Sequence, residues 1–165
     1  MKHTISVLVE NHAGVLSRIT GLFSRRGFNI DSLAVGVTED KTVSRMTIVV
    51  EADSYTVEQL EKQLNKVVDV IKVRTIPQED LISRELMLIK CNAGGRTRSE
   101  ILDIAKIMNA KIVDLTKSTM TLEICDLPAR LDLLEELLKA YNIQEVMRTG
   151  TIALQKGAAA VGAKG

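Results

Sequence analysis

The chain runs through one pattern twice: strand, helix, strand, strand, helix, strand, with the second copy about 80 residues behind the first. In the first copy, Thr4 to Glu10 alternates, with Ile5, Val7 and Val9 on one face and Thr4, Ser6 and Leu8 on the other. A period of two is the mark of a partly buried strand. Val15, Leu16, Ile19, Leu22 and Phe23 then recur at helical spacing, and Gly27 follows where a left-handed C-terminal residue is wanted. Phe28–Val37 and Val43–Ala52 read as two strands across the polar turn Thr38-Glu39-Asp40-Lys41, which makes them an antiparallel hairpin. Asp53 or Ser54 caps a helix carrying Val57, Leu60, Leu64 and Val67, and Val68–Thr75 closes the copy.

Ile76-Pro77-Gln78-Glu79-Asp80 breaks the pattern, and it restarts at Glu85–Cys91. A loop, Asn92-Ala93-Gly94-Gly95-Arg96, leads to a helix from Thr97 with Ile101, Ile104, Ala105 and Met108 on one stripe. Ala110–Leu115 and Thr119–Cys125 form the second hairpin. Asp126 and Pro128 open a helix with Leu131, Leu134, Leu137 and Leu138, and Ile143–Leu154 ends the copy. The predicted fold class is α+β, two tandem ferredoxin-like βαββαβ units, each an antiparallel sheet with both helices on one face. The expected domains are residues 1–76, a linker at 77–83, a second unit at 84–155 and a disordered tail at 156–165, whose small residues offer little to pack. The helix-free face of the first sheet carries Leu8, Ala34 and Val49 and is too apolar to stay wet. Dimerisation, or docking on another protein, is the expected cover.

Composition removes several functions that this fold can serve. Phe23, Phe28, Tyr55 and Tyr141 are the only aromatic residues, so the core must be aliphatic. The two central strands lack the rings that an RNA-recognition module stacks on bases. A formal charge of +1 gives no general attraction to nucleic acid or to a membrane surface. No apolar run is long enough to span a bilayer, and Met1-Lys2-His3-Thr4 enters a strand directly without a secretory leader, so a cytoplasmic location is expected. Cys91 and Cys125 lie in apolar runs and read as reduced, buried thiols. The first strand–helix turn lacks the paired cysteines of a soft-metal carrier, and His12 stands alone there, so no metal is expected.

That turn, Glu10-Asn11-His12-Ala13-Gly14-Val15-Leu16-Ser17, is the most informative stretch for function. Asn11 tolerates unusual backbone angles and can cap with its side chain, while Gly14 lets another group approach the backbone. The helix behind it presents unpaired N–H groups and the positive end of its dipole. The residues alone fit either a capped connection or a site for a small anion-bearing ligand. No nucleophile stands beside a base, so no catalytic residues are assigned. The loop from Asn92 to Arg98, with two glycines and two arginines, fits either an acidic-ligand cradle or a solvated connection.

The run Ser6-Val7-Leu8-Val9-Glu10-Asn11-His12-Ala13-Gly14-Val15-Leu16-Ser17-Arg18-Ile19, then Gly21-Leu22-Phe23-Ser24-Arg25-Arg26-Gly27-Phe28-Asn29-Ile30-Asp31-Ser32-Leu33, resembles an amino-acid-binding ACT domain. With Ser44-Arg45-Met46-Thr47-Ile48 and Gln63-Leu64-Asn65-Lys66-Val67-Val68-Asp69-Val70, the resemblance narrows to the small, regulatory subunits of acetohydroxyacid synthase (acetolactate synthase). It is dense over residues 4–75 and looser to about Leu154. It implies a homodimer without catalysis of its own, docked on a large catalytic subunit that uses thiamine diphosphate, Mg and FAD. It also implies activation of that subunit and feedback inhibition by valine, with leucine or isoleucine binding more weakly. The implied effector residues are Asn11, Gly14, Val15 and Leu16 of one copy and Asn29, Ile30 and Leu33 of the other. Main-chain N–H groups at Gly14, Val15 and Leu16 would receive the carboxylate, the amide oxygens of Asn11 and Asn29 the ammonium, and Leu16, Ile30 and Leu33 the aliphatic side chain. The second unit lacks the Asn-x-x-Gly turn and is expected to add dimer contacts or transmit the signal. The alternative is an ACT-type amino-acid sensor that regulates another enzyme.

Overall fold

The computed structural model describes residues 1–162. The elements are β1 (Lys2–Glu10), α1 (Val15–Arg25), β2 (Ile30–Val37), β3 (Val43–Glu51), α2 (Ser54–Asn65), β4 (Val70–Ile76), β5 (Leu81–Asn92), α3 (Thr97–Met108), β6 (Lys111–Leu115), β7 (Thr119–Asp126), α4 (Pro128–Leu138), β8 (Ile143–Arg148) and β9 (Ile152–Gln155). Two units result: Met1–Ile82 with the segment from Thr151 onward, and Ser83–Gly150. Both are α+β with the βαββαβ order that the sequence predicts. No helix among the described residues is long and apolar enough to cross a membrane.

In the first unit the strand order is β2-β3-β1-β4, all antiparallel. Ile5, Val7 and Val9 of β1 and Met46, Ile48 and Val50 of β3 meet Val15, Ile19, Leu22 and Phe23 of α1 and Val57, Leu60 and Leu64 of α2 in one buried cluster. Asp53 caps α2, its carboxylate accepting the Thr56 N–H at 2.7 Å. On the outer edge, Glu61 accepts both the Thr75 N–H (2.7 Å) and the Thr75 hydroxyl (2.5 Å), so β4 has a side chain on an N–H that a further strand would otherwise take. The second unit repeats the plan with strand order β6-β7-β5-β8. Its core joins Met87, Ile89 and Cys91 of β5 to Ile101 and Met108 of α3 and Leu131, Leu134 and Leu138 of α4.

Four expectations need correction. The stretch Ile143–Leu154 is two strands, because Gly150 takes a φ of 84° that a continuous strand does not allow. The compact units also divide differently: residues 77–82 and the segment from Thr151 group with the first unit, where the sequence reading had a linker at 77–83 and a second unit running to 155. Cys125 is exposed and only Cys91 is buried, since Met120, Leu122 and Ile124 are the residues of β7 that face the core and Cys125 alternates away from it, whereas Cys91 lies within it. The tail is placed through residue 162, and residues 163–165 lie outside the described residues. Val161 is 4% exposed and packs on Leu8 and Val43, so one aliphatic side chain among small residues suffices to hold this segment.

Part of the helix-free face of the first sheet is met by the unit's own C-terminal segment. Register places Ser32, Thr47, Ser6, Arg74 and Arg45 on that face. Thr151 donates its N–H to Ser32 Oγ (2.7 Å), Arg74 donates to Gln155 Oε1 (3.1 Å), and Arg45 donates to the Val161 carbonyl (2.6 Å). The returning C-terminal segment thus supplies part of the cover that the sequence reading expected from another copy or another protein.

Candidate effector site

The turn after β1 is built by its neighbours more than by its own side chains. Gly14 precedes α1 with φ 89° and ψ −12°, a left-handed conformation in which any L side chain is strained. Asn11 does not cap the helix: its Nδ2 donates to the Lys41 carbonyl (2.9 Å) and its N–H to the Thr42 carbonyl (2.8 Å). Both bonds tie the turn to the β2–β3 connection. No side chain caps α1, and the first helical bond runs from the Arg18 N–H to the Gly14 carbonyl at 3.1 Å. The opening amides of α1 are thus left without a capping side chain, and such amides favour a carboxylate.

Beneath the turn lies a network that the sequence did not single out. The Glu10 N–H bonds the Asp69 carbonyl at 2.9 Å. His12 Nε2 lies 3.0 Å from Asp69 Oδ1 and 3.1 Å from Glu10 Oε2, and His12 Nδ1 lies 3.3 Å from the Ala13 carbonyl. Arg18 of α1 donates to the other Asp69 oxygen. The Asp69 side chain is only 5% exposed, and a buried carboxylate needs such partners. The one available signal was Asp69 itself, an acid between Val68 and Val70 in an apolar run. The Ala13 carbonyl, then the Glu10 carboxylate, with Asp69 behind them, raise the His12 pKa above its ordinary value. Glu10, His12 and Asp69 each bring one ligand atom within 4.8 Å of the others, but Arg18 already supplies the cation that Asp69 requires.

The expected effector residues fall into two groups. Asn11, Gly14, Val15 and Leu16 are contiguous at the start of α1. Val15 is 3% exposed within the core, so only its N–H is available to a ligand, whereas the Leu16 side chain is exposed. Asn29 is exposed, and Ile30 and Leu33 are half-buried against the first core. Register separates the groups: Ile30 pairs with Val50, which pairs with His3, while Glu10 pairs with Val43. At about 3.3 Å per residue, His3 and Glu10 stand roughly 23 Å apart along β1. Asn29 and Gly14 of one chain thus occupy opposite ends of the sheet.

In the second unit, the corresponding turn is closed by Arg98, which donates to the carbonyls of Ala93 (Nε, 3.0 Å) and Thr116. The Thr97 hydroxyl bonds the Gly94 carbonyl at 2.8 Å. Arg98 braces the loop against the β6–β7 hairpin, a structural use that its sequence setting did not reveal.

Two βαββαβ units, the first with a glycine-led helix start over a buried Asp69 that Arg18 and His12 hold from the surface, define a protein of the ACT class. Residues 5–72 match the ACT domain of the acetohydroxyacid synthase small-subunit type, and residues 84–157 match the family described as small subunit of acetolactate synthase. The chain belongs to the acetolactate synthase small-subunit family. It is 45% identical over 161 residues to the acetolactate synthase small subunit of Mycolicibacterium smegmatis, covering 98% of this chain and 95% of that one. It is 48% identical over 157 residues to a probable acetolactate synthase small subunit of Archaeoglobus fulgidus, covering 95% and 98%. The crystal structure of the small subunit from Thermotoga maritima superposes with a TM-score of 0.89 at 35% identity, covering 96% of this chain and 99% of that one.

Proposed function

We propose that this chain is the regulatory subunit of a two-component acetolactate synthase, and that it activates the catalytic subunit and makes it sensitive to valine. Thiamine diphosphate, Mg and FAD chemistry belongs to the catalytic partner in this reading. The observation that supports it best is the separation of the two residue groups. An amino acid held by the amides at Gly14, Val15 and Leu16 cannot reach Asn29 of the same chain. It can reach Asn29 of a second copy. β2 is an edge strand with Val35 49% and Val37 57% exposed. Pairing it antiparallel with its copy sets the Ile30 end of one β2 beside the Val37 end of the other, the end at which the Gly14 turn lies.

The chemistry at each end is complementary to valine. Opening amides receive the carboxylate. Asn11 binds Lys41 through Nδ2, which leaves its side-chain oxygen to accept from the ammonium, with Asn29 completing the set. Leu16, Ile30 and Leu33 enclose the isopropyl group. One methylene in such a pocket is worth about 1–3 kcal/mol, so leucine and isoleucine bind too, more weakly. A ligand shared by two chains changes how they sit, and the catalytic subunit must in turn weaken valine binding by the same factor by which valine weakens it.

Gly14→Asp tests the assignment. A Cβ at Gly14 meets nothing within 4 Å, so the variant folds with strain confined to the turn, and its carboxylate enters the anion site. The reconstituted enzyme should keep its activation and lose its valine sensitivity. Ordinary valine inhibition in this variant overturns the assignment.

A further inference from the structure

We propose that the C-terminal segment of residues 157–162 is a strap that positions the effector turn, with Val161 as its peg and Arg45 as its latch. The proposal deepens the valine reading and rests on it for its functional consequence. Val161 buries its side chain against Leu8 and Val43, and all three are at most 5% exposed. Leu8 stands two residues before Glu10, and Val43 is the cross-strand partner of Glu10. Thr42, next to Val43, supplies the carbonyl that holds the Asn11 N–H, and Lys41 the carbonyl that holds the Asn11 side chain. The peg therefore presses on the two strand ends from which Asn11 is hung, from the face opposite α1.

The latch fixes the peg. Arg45 donates to the Val161 carbonyl at 2.6 Å and approaches Ser6 Oγ at 3.5 Å through its other terminal nitrogen. Ser6 is fully buried beside Leu8 on the same face of the sheet. The segment is anchored upstream as well: the Lys156 N–H bonds the Asp80 carbonyl (2.8 Å), and Lys156 Nζ bonds the Glu79 carbonyl (2.9 Å). Between these anchors, Gly157 turns the chain with φ 74°. Residues 157–160 are exposed, so the strap is held at its two ends. A segment gripped at two points over exposed backbone opens at low free energy, which makes it suited to adjust a neighbouring turn.

The test compares the parent chain with a chain ending at Lys156 and with Val161→Asp, Val161→Ile and Arg45→Lys. Hydrogen exchange of the Asn11 and Val43 amides is read without effector, and valine affinity is read by calorimetry. The truncated chain and Val161→Asp should exchange the Asn11 amide about tenfold faster while the Ile5, Val7 and Ile48 amides keep parent protection. Valine affinity should fall about fivefold in both, whereas Val161→Ile and Arg45→Lys, which keep an aliphatic peg and a cationic latch, should stay near the parent in both readouts. Parent-like exchange at Asn11 in the truncated chain overturns the strap. Valine failing to bind the parent chain overturns the proposed function and leaves the exchange result to decide the strap separately.

Discussion

At the scale of single residues, His12 shows how the turn is wired. Its imidazolium is favoured by the Ala13 carbonyl, Glu10 and Asp69, so its folded pKa lies above the ordinary 6.5. A raised pKa means that the ion contributes stability below the unfolded value, and that this contribution is lost as pH rises through the folded one. An NMR titration should place the His12 midpoint above 6.5. A His12→Gln chain should lose the pH dependence of the turn's amide shifts across that window. A midpoint at or below 6.5 would show that the ring does not sit between the two carboxylates. Asn29 makes a different prediction. If it accepts from the ammonium of a ligand held by the other copy, Asn29→Ala should weaken valine by about 1–3 kcal/mol in calorimetry without changing the thermal midpoint. Gly14 and Asn11 stood out in the sequence because turns advertise their backbone needs, whereas Asn29 entered only through the resemblance. Asp69 and Arg18 were not, because a partner 51 residues away is a property of the fold.

At the scale of elements, the amphipathic periods located α1 to α4 and nearly every strand among the described residues, since a buried stripe leaves a regular trace. The sequence reading failed where tertiary bonds override local pattern. Apolar spacing ran through Thr149 and Gly150 as though β8 and β9 were one strand, and small residues concealed the anchoring of Val161. One ion network now carries a stability prediction. Arg148 of β8 donates Nε and Nη2 to the two oxygens of Glu85 (3.0 and 2.9 Å) and Nη1 to Asp132 of α4 (2.6 Å). The Glu85 side chain is 6% exposed, and these partners hold the Arg148 pKa above its already high ordinary value. Replacing Arg148 by Ala leaves a buried, unpaired carboxylate and should destabilise the second unit by about 3–5 kcal/mol in urea unfolding. A loss under 1 kcal/mol would show that Glu85 finds water or another donor.

At the scale of the whole molecule, the exposed margin of β2 is the feature with most consequence for assembly. Val37→Lys puts a charge on that margin away from either core. Analytical ultracentrifugation should show the parent chain as a dimer and the variant shifted toward monomer, with valine binding lost in parallel because the proposed site draws on two chains. A variant that stays dimeric and still binds valine would place the contact elsewhere. The opposite margin carries a further implication. Glu61 already occupies the Thr75 N–H, so one flank is dressed and one is bare. In the proposed pairing, a tile with a single sticky side joins one neighbour through that sheet, which favours a closed couple over a row of sheets extended through the same margin.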